Sequence, residues 1–201
     1  MMQVGNWMEK EFEKIPLGLS VGKVKEILRK DNLSCGIVCD GEKFVGIVKA
    51  DEILGVDDSF SVSNYVERVV YTLDPQDTLD EASVFFLEAD IERLPVLEDG
   101  KIVGVLNLFQ ILDAFTQMAG FGEGGLRMEI ELEDTPGELK KVIDVLYAHS
   151  MNVLSILIHP AREARKRIAI LRVHGKDVKD LSKILDLNNI SYRSIIKEEK
   201  I

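Results

Sequence analysis

The chain has 201 residues, is 46% hydrophobic and 30% charged, and carries a net charge of −10. That supports a buried core in one or two domains. No apolar run approaches a membrane span, and the acidic balance disfavours nucleic acid, whose binding rests on clustered Lys and Arg. The opening MMQVGNWMEKEFEK is acidic and mixed, unlike a signal peptide, so the expected location is cytoplasmic.

One stretch occurs twice. Residues 40–54 read DGEKFVGIVKADEIL and residues 99–112 read DGKIVGVLNLFQIL, with Gly46 and Gly104 58 positions apart. The same shift carries Val4 onto Val62, Asn6 onto Asn64, Glu9 onto Glu67, Val38 onto Val96 and Leu54 onto Leu112. A register held over about a hundred residues is an internal duplication. It predicts two α/β units, residues 1–58 and 59–118. One such unit is too small to bury both faces of its sheet, so the two should form a pseudo-two-fold pair with two related clefts.

Each repeat opens on an extended stretch, 13–16 and then 70–73, and runs into a helix. In the first, Ser20 starts a helix whose apolar face holds Val21, Val24, Ile27 and Leu28. In the second, Thr78 and Glu81 form a capping box ahead of Leu79, Ala82, Phe85, Phe86 and Ala89. Two apolar runs follow in each repeat, 36–39 with 44–48 and 94–97 with 102–106, divided by Asp40-Gly41 and Asp99-Gly100, a strong hairpin signal. Helices over 50–54 and 108–118 close the repeats. Cys35 and Cys39, four apart on one strand, point to the same face and read as buried apolar residues rather than a redox or metal pair.

Four glycines, Gly120, Gly122, Gly124 and Gly125, mark residues 119–125 as a flexible connector. Residues 126–132 then alternate apolar and charged, as a half-buried strand does. Thr135, with Pro136 at the first helical position and Glu138 at the capping-box site, predicts a helix with Leu139, Val142, Ile143, Leu146 and Tyr147 on its apolar face. Strands are expected over 153–158, 167–173 and 191–196, and a helix over 177–187 through Val178, Leu181, Ile184 and Leu185. The order βαββαβ predicts a ferredoxin-like domain over 126–201. The basic cluster Arg162, Arg165, Lys166 and Arg167 reads as a solvated turn.

The repeats resemble the CBS domain through Val62-x-Asn64-Tyr65-Val66, Asp77-Thr78-Leu79-x-Glu81-Ala82, Ile91-x-x-Leu94-Pro95-Val96 and Asp99-Gly100-Lys101-x-Val103-Gly104-Val105. The last third resembles an ACT domain through Glu131-x-x-Asp134-x-Pro136-Gly137-Glu138-Leu139 and His149-x-x-Asn152-Val153. The fold class is therefore α/β (α+β), a tandem CBS pair plus a C-terminal ACT domain. That combination resembles the AcuB-like proteins associated with acetoin utilisation, although no motif names acetoin as a ligand.

The CBS resemblance implies an adenosine ligand, AMP or ATP, in the clefts, with no cofactor required. The family's Gly-x-x-Thr/Ser-x-x-Asp stretch aligns with Gly46…Lys49…Glu52 and Gly104…Asn107…Gln110, so neither copy keeps the usual hydroxyl and aspartate. Lys49 offers charge to a phosphate and Glu52 a carboxylate to a ribose, whereas Asn107 and Gln110 are neutral. Asp51, one position early, is expected to face away. The resemblance also places Gly36, Ile37, Leu94 and Pro95 beside an adenine ring, with Ile15 and Thr72 packing on it. The ACT resemblance implies an amino acid or other small carboxylate at Asp134, Pro136, Gly137 and Asn152, often across a dimer interface. Gly137 leaves N–H groups bare at a helix start, or simply packs a capping turn.

No nucleophile, base and orienting group come together in the sequence. His149, His159 and His174 read as caps and strand ends, not metal ligands. The expected protein is a non-catalytic, cytoplasmic, homodimeric regulator, whose ACT domain senses a small carboxylate or mediates dimerisation. The alternatives are a structural scaffold with degenerate sites that only assembles with a partner enzyme and, more remotely, a cryptic enzyme of acetoin metabolism.

Overall fold

The computed structural model describes residues 2–68, 71–89, 91–175 and 180–200. The chain divides into two compact bodies, Met1–Ala114 and Phe115–Ile201.

In the first body the order is β1 (Lys14–Pro16), α1 (Val21–Lys30), β2 (Cys35–Asp40), β3 (Lys43–Lys49), α2 (Ala50–Ile53), α3 (Leu79–Ala89), β4 (Arg93–Glu98), β5 (Lys101–Asn107) and the start of α4 (Leu108–Met118), whose residues from Phe115 on fall in the second. The five strands form one sheet, β1-β2-β3-β5-β4. Both hairpins form. Asp99 and Gly100 take positive φ (51° and 77°), as a two-residue type I′ turn requires. In the first hairpin the loop is Gly41-Glu42, one residue later than the dipeptide suggests, because Asp40 pairs with Lys43.

The 58-residue shift survives as contacts. The pairing of Ile15 with Val38 returns as Leu73 with Val96, and that of Glu9 with Val105 returns as Glu67 with Ile47. Equivalent residues meet where the halves join: Lys43 pairs with Lys101, and Ser34 Oγ donates to Glu92 at 2.8 Å. Each repeat's leading segment thus lies on the other repeat's hairpin. The repeated glycines permit this. A Cβ on Gly46 would stand 2.2 Å from the Glu67 carbonyl oxygen, and one on Gly104 2.5 Å from Met8 Sδ. Three apolar clusters fill the body, one for each repeat and one between them built on Ile37, Cys39, Ile47, Ile102 and Val105.

The Thr78 capping box forms: Thr78 N donates to Glu81 Oε2 (3.2 Å) and Glu81 N to Thr78 Oγ1 (3.5 Å). Ser20 sits at the start of α1 without a side-chain cap. Val70 lies outside the described residues, as does the side chain of Ala89. Both cysteines are free and buried.

The second body is β6 (Gly125–Glu133), α5 (Glu138–Ala148), β7 (Asn152–Pro160), β8 (Lys166–His174), α6 (Leu181–Leu187) and β9 (Tyr192–Glu198). This is the expected βαββαβ order, in an antiparallel sheet β7-β8-β6-β9. Leu126, Met128, Ile130 and Leu132 alternate inward against Val142, Leu146, Leu181 and Leu185. Two expectations change. Helix α5 starts at Glu138, not Pro136, because Gly137 takes φ +97°, outside the helical region. Tyr147 is 83% exposed and leaves the apolar face. Asp177 and Val178 lie outside the described residues, and α6 is described from Leu181.

The stretch read as a flexible connector is fastened within this body. Arg172, 1% exposed, holds Glu198 through two nitrogens (2.7 and 3.2 Å) and donates to the Ala119 carbonyl (2.7 Å). Ser155 Oγ donates to the same carbonyl (2.6 Å), and the Phe121 ring lies 4.0 Å from the guanidinium carbon. Its glycines take positive φ at 120, 122, 124 and 125, which explains their density.

Candidate functional site

Two clefts open between the repeats. The first, about 460 Å³, is lined by Ser34, Cys35, Lys49, Ala50 and Asp51 from one repeat and by Phe86, Ile91, Glu92 and Leu108 from the other. The second, about 1020 Å³, carries the symmetry counterparts Leu33, Ser34, Glu92, Arg93, Asn107, Leu108 and Phe109. Both lie where β3 or β5 runs into the following helix, and Ser34 and Glu92, which meet each other, line both.

In the first cleft, Lys49 ends β3 and its ammonium lies 3.1 Å from Glu67 Oε2. Glu67 is held there by reciprocal backbone bonds with Ile47 (3.0 and 2.8 Å). The Lys49 ammonium, then a hydrogen bond shared with Glu52, holds the Glu67 carboxyl below the usual carboxylate range. The Glu52 carboxyl is pushed up, chiefly by that same hydrogen bond. Lys49 is raised by Glu67. Burial raises the Cys35 thiol, which keeps it protonated and unreactive on the wall.

The second cleft is built differently. Asn107 N donates to Gln110 Oε1 (2.9 Å) and Gln110 N to Asn107 Oδ1 (3.0 Å), a reciprocal cap on α4. Arg93, mostly buried, meets Glu9 at 3.4 Å. Glu9 is the counterpart of Glu67, so the cation lining each cleft, Lys49 or Arg93, is met by a glutamate delivered by the crossing segment.

The sequence-derived residues therefore separate. Lys49 lines the first cleft and Asn107 the second. Asp51, expected to face away, lines the first cleft. Glu52 turns to Glu67, and Gln110 to the helix start. Ile15, Ile37, Leu94 and Pro95 are buried in strands, and Thr72 is exposed, next to Leu73, which pairs with Val96 of β4. Gly36 is pinned because a Cβ there would meet Ile15 Cδ1 at 2.2 Å. Glu67 and Arg93 were missed. The Glu9/Glu67 identity in the repeat was the available signal for the first; nothing in the sequence marks the second.

In the second body, Asp134 follows β6 and pairs with Arg167 of β8 at 2.8 Å, so the turn has a cation that lies far off in sequence. Pro136 and Gly137 stand beside it in the turn. Asn152 does not join them. Glu133 pairs with Lys166 while Asn152 pairs with His174, at the other end of β8. At about 3.3 Å per residue that is roughly 25 Å away. Among the described residues no group of three His, Cys, Asp or Glu is placed to hold a metal. No helix described is long and apolar enough to cross a membrane.

A family model described as CBS domain matches residues 4–58 and 62–117, and one described as TTHA0829-like ACT domain matches residues 124–191. Among solved structures, a CBS domain pair/ACT domain protein from Thermotoga maritima is 25% identical, with a TM-score of 0.54 over 58% of this chain and 98% of its own. CBSX2 in complex with AMP is 23% identical (TM-score 0.53, 58% of this chain, 98% of that one). The cytosolic domain of the Mg²⁺ channel MgtE in complex with ATP is 20% identical (TM-score 0.50, 56% of this chain, 48% of that one). At these identities the last two share the fold.

Proposed function

Because the chain belongs to the CBS-domain family and carries an ACT-like domain after the pair, we propose that it is a non-catalytic regulatory sensor whose first cleft binds an adenine nucleotide such as AMP or ATP. The observation that carries this reading is Lys49, a cation at the mouth of an apolar-walled cleft between the repeats, with Asp51 and Ser34 as further polar contacts. The solved relatives with AMP and ATP support the ligand class. A phosphate would take over the Lys49 ammonium from Glu67, and the ribose would find Asp51 or Glu52.

The ACT-like domain is the second input. Asp134, Pro136 and Gly137 form a turn for an amino acid or small carboxylate, with Arg167 as its cation, and Asn152 can complete it only from a second copy. We read the protein as a cytoplasmic homodimer that acts on a partner enzyme. Leu54, Leu87 and Leu112 leave 68%, 85% and 63% of their surface exposed, more apolar side chain than a lone protomer needs to show. The resemblance to the AcuB-like proteins makes a role in acetoin utilisation part of the reading. The boundaries 1–58, 59–118, 119–125 and 126–201 are proposed as its functional segments.

A thermal-shift screen with AMP, ATP and amino acids tests the reading, since a ligand of the native state raises the melting temperature by mass action. An adenine nucleotide should raise it, and Glu52→Ala should reduce the shift more than Gln110→Ala. A flat screen would favour the scaffold, whose support is the capping box that engages Asn107 and Gln110.

A further inference from the structure

We infer that the second cleft excludes phosphate and takes a nucleoside bearing none, so that the two clefts divide adenosine ligands by charge. This rests on the proposed adenosine binding and adds the ligand class of the second site. Three independent features point to it. First, its wall carries Glu9, Glu11, Glu13, Asp31 and Glu92, and Arg93 is the only cation among its lining residues. The guanidinium already meets Glu9, which leaves an excess of carboxylate facing any ligand. Second, three backbone donors at the start of α4, of the kind that would otherwise take an anion, are occupied: Asn107 N and Gln110 N by each other's side chains, and Leu108 N by the Glu92 carbonyl (3.3 Å). Third, the rest of the wall suits an uncharged ring: Phe12, Leu33, Leu108, Phe109 and Leu112 surround a space of about 1020 Å³.

The first cleft contrasts on the first two points. Its lining sets Lys49, which also meets Glu67 at 3.1 Å, against two carboxylates, Asp51 and Glu92, where the second cleft sets Arg93 against five. No side chain caps the start of α2, and the residue at the Asn107 position is itself the cation. Rim carboxylates are solvated, so each repels a phosphate weakly, and several acting together over about one Debye length amount to roughly tenfold in affinity, less in high salt.

The test is calorimetry on the full chain with adenosine and AMP, using wild type and the triple variant Glu11→Gln, Glu13→Gln, Asp31→Asn. These three are exposed and their replacements isosteric; an unchanged melting temperature verifies the fold. Wild type should bind two adenosines but one AMP, with a second AMP site appearing in the variant at about tenfold higher affinity than wild type allows. Two AMP sites in wild type, an AMP count unchanged by the triple variant, or a second cleft that accepts AMP but not adenosine would each overturn the inference while leaving the proposed function standing. Binding of neither ligand by wild type would overturn both.

Discussion

Gly46 and Gly104 are the same residue of the repeat under different pressure. At Gly46 an added methyl meets the Glu67 backbone, which is fixed by two hydrogen bonds to Ile47. At Gly104 the nearest atom is the end of a flexible methionine. Urea titration should therefore show Gly46→Ala losing about 2–3 kcal/mol and Gly104→Ala clearly less. Charge at the first cleft and in the second body's sheet gives a second expectation. Glu67 and Glu131 are held below the usual range, by Lys49 and Arg193 respectively, so their stabilisation is present above the ordinary carboxylate pKa and is lost as pH falls through the folded values. Glu52 has the opposite sign: pushed up by Glu67, its share is present at low pH and lost as pH rises through its folded value. A melting-temperature profile should fall on the acid side, and Glu67→Gln should flatten that fall. Lys49 was legible as the charged residue of the first repeat's motif. Its engagement with Glu67 was not, because the partner arrives on a segment that crosses from the other side of the hairpin.

At the level of elements, most of the fold was readable because period and caps agree. Alternation named β6, the Asp-Gly dipeptides named both hairpins, and Thr78 with Glu81 named the start of α3. The misreadings share a cause: the local signal was right in type but overruled by backbone geometry. Gly137 displaces the start of α5, and glycine density in the connector serves left-handed φ rather than freedom. The two capped and uncapped helices make a direct comparison. Thr78→Ala should cost about 1 kcal/mol by denaturant titration, while Ser20→Ala, where no cap bond exists, should cost only a few tenths. Within the second body, Arg172 ties β8 to β9 and to the connector. Arg172→Ala leaves Glu198 and the Ala119 carbonyl without their cation, and should destabilise that body by about 3–5 kcal/mol on thermal or chemical unfolding.

For the whole molecule, the duplication carried the most information. It foretold the pair and two related clefts, since equivalent residues must meet at a pseudo-two-fold axis, but not the crossing segments. It could not foretell how far the clefts diverge. The acidic wall of the second is assembled from the stretch 9–13, the end of α1 and the lead-in to β4, pieces whose carboxylates look like ordinary solvated charge when read one at a time. Nor could it place Asn152, which the ACT-like motif sets near Asp134 and the sheet sets at its far end. The central claim is that Lys49 makes the first cleft a nucleotide site. Isothermal calorimetry of AMP against wild type and Lys49→Ala tests it most directly. A charge-assisted contact is worth roughly 1.5–3 kcal/mol, so wild type should bind and Lys49→Ala should bind about tenfold or more weakly; equal affinity in the two proteins would contradict the account.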